Sequence, residues 1–146
     1  MQIDSSILSG FIKKVTLDSK IGTAKLIPVT DGTTSTLELM NNIIVKGWLS
    51  EKAFHKFEPL TIEVRDTTKF SRNLKNFKGK VTINIDGNFV KMYNDTKTVA
   101  YKRATQIDNW TDNEPKVQFD SGIDLPSSFV DEILSNSSSV GAEHIV

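Results

Sequence analysis

Three stretches of this chain set apolar side chains at helical spacing, and Ile7, Phe70 and Phe129 mark comparable points in them about sixty residues apart. The first stretch carries Ile7, Leu8, Phe11, Ile12 and Val15 behind a cap at Asp4 or Ser5. The second begins at Asp66 or Thr67, buries Phe70, Leu74 and Phe77, and stops at Gly79. Pro126 opens the third, with Phe129, Val130, Ile133 and Leu134 on one face. Between them lie strand-like runs at 23–29, 35–40, 43–49, 60–65, 81–85, 89–93 and 98–102, with turns at Asp31-Gly32 and Asp86-Gly87. Residues 50–58 read as a loop, 106–115 as a polar linker, and further strands are expected around 117–119 and from Ala142 onward. The pattern predicts an α+β fold built from a β-α-β-β unit, made twice and begun a third time, with helices on one face of antiparallel sheet.

Charge adds a second constraint. The chain of 146 residues is formally neutral, yet residues 1–105 hold 17 basic and 10 acidic side chains, a net of +7. Residues 106–146 hold only Lys116 against eight acids, a net of −7. Such a split indicates a part that meets a polyanion beside an acidic part, or two faces that meet each other. No apolar run approaches the ~20 residues of a bilayer span, so no membrane partner is expected. No basic residue precedes the short apolar stretch at the N-terminus, which argues against a secretory signal and for an intracellular protein. Cysteine is absent, which removes disulfides, thiol nucleophiles and thiolate metal sites.

Catalytic chemistry finds little to stand on. The only histidines, His55 and His144, are far apart in sequence and without nearby candidate ligands. Gly-rich phosphate loops, nucleophile elbows and zinc-protease helices are all missing. Neighbours on a helix, Asp131 and Glu132 point in different directions and read as solvated charges. The chain is therefore expected to be no enzyme and to need no cofactor or metal.

The cations carry more. Lys69, Arg72, Lys75, Lys78 and Lys80 fall in a span, 67–84, without one acidic residue. At about 100° per residue, Arg72 and Lys75 project opposite Phe70, Leu74 and Phe77. On the first helix Lys13 lies opposite the apolar stripe, with Lys14 at its flank. Cations near a helix C-terminus also favour the macrodipole, but the missing acids point to a polyanion surface. No aromatic side chains interleave these cations, so they suit backbone phosphates rather than bases.

Four stretches resemble the DNA sliding-clamp family of proliferating cell nuclear antigen and the clamps of T4-like phages. Ser9-Gly-Phe-Ile-Lys13-Lys14-Val15, followed by Lys20, is similar to the first pore-lining helix. Leu39-Met40-Asn-Asn-Ile-Ile44-Val45 resembles the loop along the family's client groove, and Ser71-Arg72-Asn-Leu74-Lys75 its second pore helix. Leu125-Pro126-Ser-Ser-Phe129 through Ile133, with residues 142–146, resembles the opening of a second domain. The resemblance implies a clamp domain over 1–104, an interdomain connector over 105–116, and the start of a second domain over 117–146. It also implies a homo-oligomeric ring around duplex DNA, placed by a clamp loader and acting as a polymerase processivity factor. Lys13, Lys14, Lys20, Arg72 and Lys75 would face DNA. Met40, Ile44, Val45 and Ile107 would receive peptides of the polymerase and other clients.

Two features depart from that pattern: the third helix carries Asp131 and Glu132 without a cation, and only about thirty residues follow the linker. A different class of reading is a viral structural or assembly protein whose acidic part packs on a neighbour's basic part. A single-strand-binding accessory domain is disfavoured by the lack of aromatics near the cations.

Overall fold

A computed structural model describes residues 1–39, 43–104, 107, 110, 111, 128, 131, 132 and 135. The chain divides into two compact units, Met1–Asn113 and Glu114–Val146. Of the second, Ser128, Asp131, Glu132 and Ser135 are described; all four are helical and exposed. The strands expected at 117–119 and from Ala142 lie outside the described residues.

In the first unit the order is β1 (Gln2–Asp4), α1 (Ser5–Val15), β2 (Ala24–Val29), β3 (Gly32–Leu39), β4 (Ile43–Ser50) and β5 (Phe54–Lys56). Then come β6 (Ile62–Val64), α2 (Thr67–Lys75), β7 (Lys80–Asp86), β8 (Phe89–Tyr93) and β9 (Thr98–Lys102). All pairings between these strands are antiparallel, in a five-stranded sheet β5-β1-β7-β8-β9 and a four-stranded sheet β4-β3-β2-β6. Two helix-bearing units are present as the periodicity predicts, β1-α1-β2-β3-β4-β5 and β6-α2-β7-β8-β9, longer than the β-α-β-β pattern by two strands and one strand respectively.

Residues 50–58 are not simply a loop. A short 3₁₀ turn at Glu51–Ala53 leads into β5, whose Phe54 lies opposite Ile3. Strand β1 also escapes the sequence pattern. Both strands have only three residues, too few for alternation to register, and pairing alone defines them. Between β7 and β8, Asp86 pairs with Phe89 around the two-residue loop Gly87-Asn88, and Gly87 takes the positive φ that such a loop requires.

Core packing explains where the helices sit. Leu8, Ile12 and Val15 of α1 and Phe70 and Leu74 of α2 are buried with Ile3, Leu26, Leu37, Ile62, Val81, Ile83 and Met92 of the two sheets. Each such side chain contributes about 2 kcal/mol by leaving water. Two expectations shift here. Ile7 is 40% exposed rather than part of the buried stripe, because the core-facing side of α1 runs through Ser5, Leu8, Ile12 and Val15. Phe77 is buried as expected, but beyond the end of α2 rather than within it.

The helix ends are fixed differently. Asp66 caps α2 through a bond from the Lys69 amide, 2.8 Å. Asp4, at the start of α1, caps nothing with its side chain and meets His55 at 3.2 Å instead. The Ser5 amide and hydroxyl turn to the chain leaving α2: N–H to the Gly79 carbonyl, 2.9 Å, and Oγ–H to the Phe77 carbonyl, 2.7 Å. The two helices therefore lie side by side, the start of α1 against the end of α2.

Candidate functional site

Two surfaces of the first unit gather the residues singled out by sequence. On the helix layer, Lys13, Lys20, Arg72 and Lys75 are exposed and Lys14 is half-buried. Lys13 and Lys14 occupy the last turn of α1, Arg72 and Lys75 the last turn of α2. Lys13, Arg72 and Lys75 are exposed away from the buried stripes, as the helical projection predicts, and Lys14 keeps the flanking place it was given. Neither helix contains an acidic residue.

Lys20 owes its place to an unusual turn. Leu17, Asp18 and Ser19 all have positive φ, 50°, 56° and 69°. A run of three side-chain-bearing residues in this region costs about 1–2 kcal/mol apiece and persists only where neighbours impose it. Here Thr16 does so, donating its hydroxyl to the Ile12 carbonyl at 2.7 Å and accepting from the Ser19 amide at 3.2 Å. The Asp18 amide reaches the Lys13 carbonyl, 2.7 Å, and the Ile21 amide the Thr16 carbonyl, 3.0 Å. The turn folds back tightly and leaves Lys20 beside the end of α1.

The second surface is the side of the four-stranded sheet remote from α1. Gly47 marks the near side: a Cβ there would stand 2.2 Å from Val15 Cγ1 and 3.0 Å from Phe11 Cε2. By alternation, Ile44, Lys46 and Trp48 point the other way. Opposite them on β3 are Glu38, Thr36 and Thr34, and Ile27 of β2 lies opposite Thr34. Ile44 (36%) and Trp48 (53%) are exposed there. Val45 has the reverse orientation and packs, partly buried, against the core. Met40 lies outside the described residues, and Ile107 is half-buried.

The segment after β9 joins this face. Strand β2 pairs with β6 through Ala24–Leu26 but with β3 only from Ile27 onward, so β3 is open beside Thr36 and Leu37. Trp110 forms a single antiparallel bridge to Leu37, and the Thr111 amide reaches the Thr36 carbonyl at 3.3 Å. Lys25 Nζ stands 4.4 Å from the centroid of the Trp110 ring, a cation–π contact. Sequence reasoning passed over Trp48 and Trp110. A tryptophan on the polar phase of an alternating strand is the signal that marks Trp48.

A cavity of about 500 Å³ lies elsewhere, lined by Gly22, Glu63, Asp66, Lys69, Phe70 and Tyr101 among others. Its acids are engaged, Glu63 with Arg103 at 2.7 Å and Asp66 as the α2 cap. Burial pushes the Tyr101 phenol above its ordinary pKa. Among the described residues no cluster of three metal-ligating side chains occurs, and no helix is long and apolar enough to cross a membrane.

No protein-family model matches the sequence, and a search of curated proteins returns no match. Solved structures do resemble the fold. Over 94% of this chain it is similar to proliferating cellular nuclear antigen from Entamoeba histolytica, with a TM-score of 0.60 and 15% identity. Over 90% of the chain it is similar to the DNA polymerase III beta chain from Streptococcus pneumoniae TIGR4, with a TM-score of 0.61 and 14% identity. The chain spans 60% and 37% of those two proteins. The fold is thus the sliding-clamp fold that the four sequence stretches resemble.

Proposed function

We propose that this chain acts as the DNA-facing part of a sliding clamp, a processivity factor that catalyses nothing and tethers clients to duplex DNA. The observation that carries the reading is the helix layer: Lys13, Arg72 and Lys75 stand exposed on two adjacent helices that contain no acid, within a clamp fold. Such an array attracts backbone phosphates without reading bases, and each contact is screened by salt. Lys14 and Lys20 extend it. Residues 1–104 form the first clamp domain in this reading, 105–116 the connector and 117–146 the beginning of a second domain. Ring formation by further copies, loading by a clamp loader and capture of polymerase peptides belong to the same proposal.

Clients would dock on the face of Ile44, Trp48 and Ile27, with Ile107 and, as the sequence resemblance implies, Met40 also taking part. Apolar area there supplies affinity once water is displaced. Val45 supports that strand from the core side rather than touching a peptide. The test is duplex binding at low salt by the wild type and by an Arg72→Glu, Lys75→Glu double variant. Weak, sequence-independent, salt-sensitive binding that drops in the variant supports the reading. Equal binding by both proteins removes the helix layer as the DNA surface.

A further inference from the structure

Between the start of α1 and the end of α2 lies an open cleft of about 410 Å³, lined by Ser5, Ser6, Ser9, Lys75, Phe77 and Gly79. Its chemistry is one-sided. The Ser5 hydroxyl is committed to the Phe77 carbonyl, but Ser6 is exposed and Lys75 has no ion-pair partner among the described residues. Ser9 is only 8% exposed, and among the described residues its hydroxyl has no hydrogen-bond partner. The surface Ser9 retains opens onto this cleft. Without a protein partner, the Ser9 hydroxyl is available to a group that enters the cleft. Behind it stands the N-terminus of an eleven-residue helix whose cap residue, Asp4, makes no side-chain capping bond and turns to His55 instead.

We propose that this cleft is a seat for one phosphate group, held by the Ser6 and Ser9 hydroxyls and the Lys75 ammonium. The inference rests on the duplex-binding reading and deepens it: a backbone phosphodiester is the occupant. The outward lysines make diffuse contacts, whereas the hydroxyls of the seat give one phosphate a fixed position. That fixes the register of the backbone against the α1–α2 pair without any base contact.

A labelled short duplex at low salt, followed by fluorescence anisotropy, tests this with Ser9→Ala, Ser6→Ala and Lys75→Gln. Ser9→Ala and Ser6→Ala are each expected to weaken binding by about tenfold or more with an unchanged salt slope, since each deletes a hydrogen bond from a neutral hydroxyl to a charged group. Lys75→Gln should weaken binding and lower the slope by about 0.9. The melting temperature of Ser9→Ala should stay close to that of the wild type, because the Ser9 hydroxyl bonds no protein group; if the variant folds poorly, the exposed Ser6→Ala carries the test. Wild-type binding by both serine variants, with Lys75→Gln impaired, overturns the seat and leaves the DNA reading standing. If Lys75→Gln and the Arg72/Lys75 reversal also bind as wild type, the DNA reading itself fails. Inorganic phosphate is added in a separate arm, followed by amide shifts of Ser6 and Ser9. Saturable shifts there, beside unchanged duplex binding by Ser9→Ala, assign the cleft to the free ion and overturn the phosphodiester as occupant.

Discussion

The helix layer and the remote face of the four-stranded sheet lie on opposite sides of the packing of α1 on β4, and they are built on opposite physics. Lys13, Arg72 and Lys75 keep their charges in water on stems anchored by buried Ile12, Phe70 and Leu74. Ile44 and Trp48 expose apolar surface on a strand whose other side is pinned to α1 at Gly47. A charged face works at a distance and weakens with salt, while an apolar face works only in contact and is nearly indifferent to salt. On the proposed function, one molecule would hold a polyanion loosely and a peptide closely, and the two properties should come apart under mutation.

The largest expected effect removes both. Ile12 is fully buried between the helix and the sheets, so Ile12→Ala should cost about 3 kcal/mol in a denaturant melt and impair DNA and peptide binding together. Next, Trp48→Ala should cost about 2 kcal/mol in the binding of an apolar-aromatic client peptide, a roughly thirtyfold loss by calorimetry, with duplex affinity intact. The reverse dissociation is smaller per residue. Reversing Arg72 and Lys75 should lower the salt slope of duplex binding by about 1.8 or more while leaving peptide affinity unchanged. If either variant disturbs both ligands equally, the two faces are coupled and the separation drawn here is wrong.

The smallest effect concerns the seam near the N-terminus. The Lys56 ammonium, at 2.7 Å, and then the α-ammonium of Met1, at 2.9 Å, hold the exposed Glu58 carboxyl at about 2, below its ordinary 4.5. A depressed carboxyl stabilises the fold above its unfolded pKa, and that contribution disappears as pH falls through the folded one. Glu58→Gln should thus melt slightly earlier than wild type at neutral pH, and the gap should close between about pH 4.5 and 2. A gap that widens on acidification contradicts the assignment.

How much of this was legible in the sequence differs by element. Helix α2 announced itself through Asp66, the spacing of Phe70 and Leu74 and a run of cations, because local bonds and a single stripe decide it. The hairpin at Asp86-Gly87 and strand β9 were equally plain. Strands β1 and β5 were invisible, since partners distant in the chain hold three residues in place. The outward cations could be named because helical geometry fixes direction from spacing alone. Ile44 and Val45 could be named too, but which of them faces the core depends on where α1 packs. The Ser9 cleft needed two helices brought side by side by the bonds of Ser5, which no local pattern encodes.

One consequence of the divided pairing of β2 concerns how the molecule opens rather than what it binds. The hairpin of β3 and β4 is joined to the rest of its sheet through Ile27–Val29 alone, helped by the bridge at Trp110. Strands β7 and β8 have neighbours on both sides and bury Val81, Ile83, Val90 and Met92. The hairpin that carries Trp48 is thus a candidate cooperative unit that detaches before the whole protein unfolds. Native-state hydrogen exchange should find the amides of β4 exchanging through a partial opening, and those of β7 only through the global one. Identical opening free energies for the two strands would show the hairpin to be no separate unit.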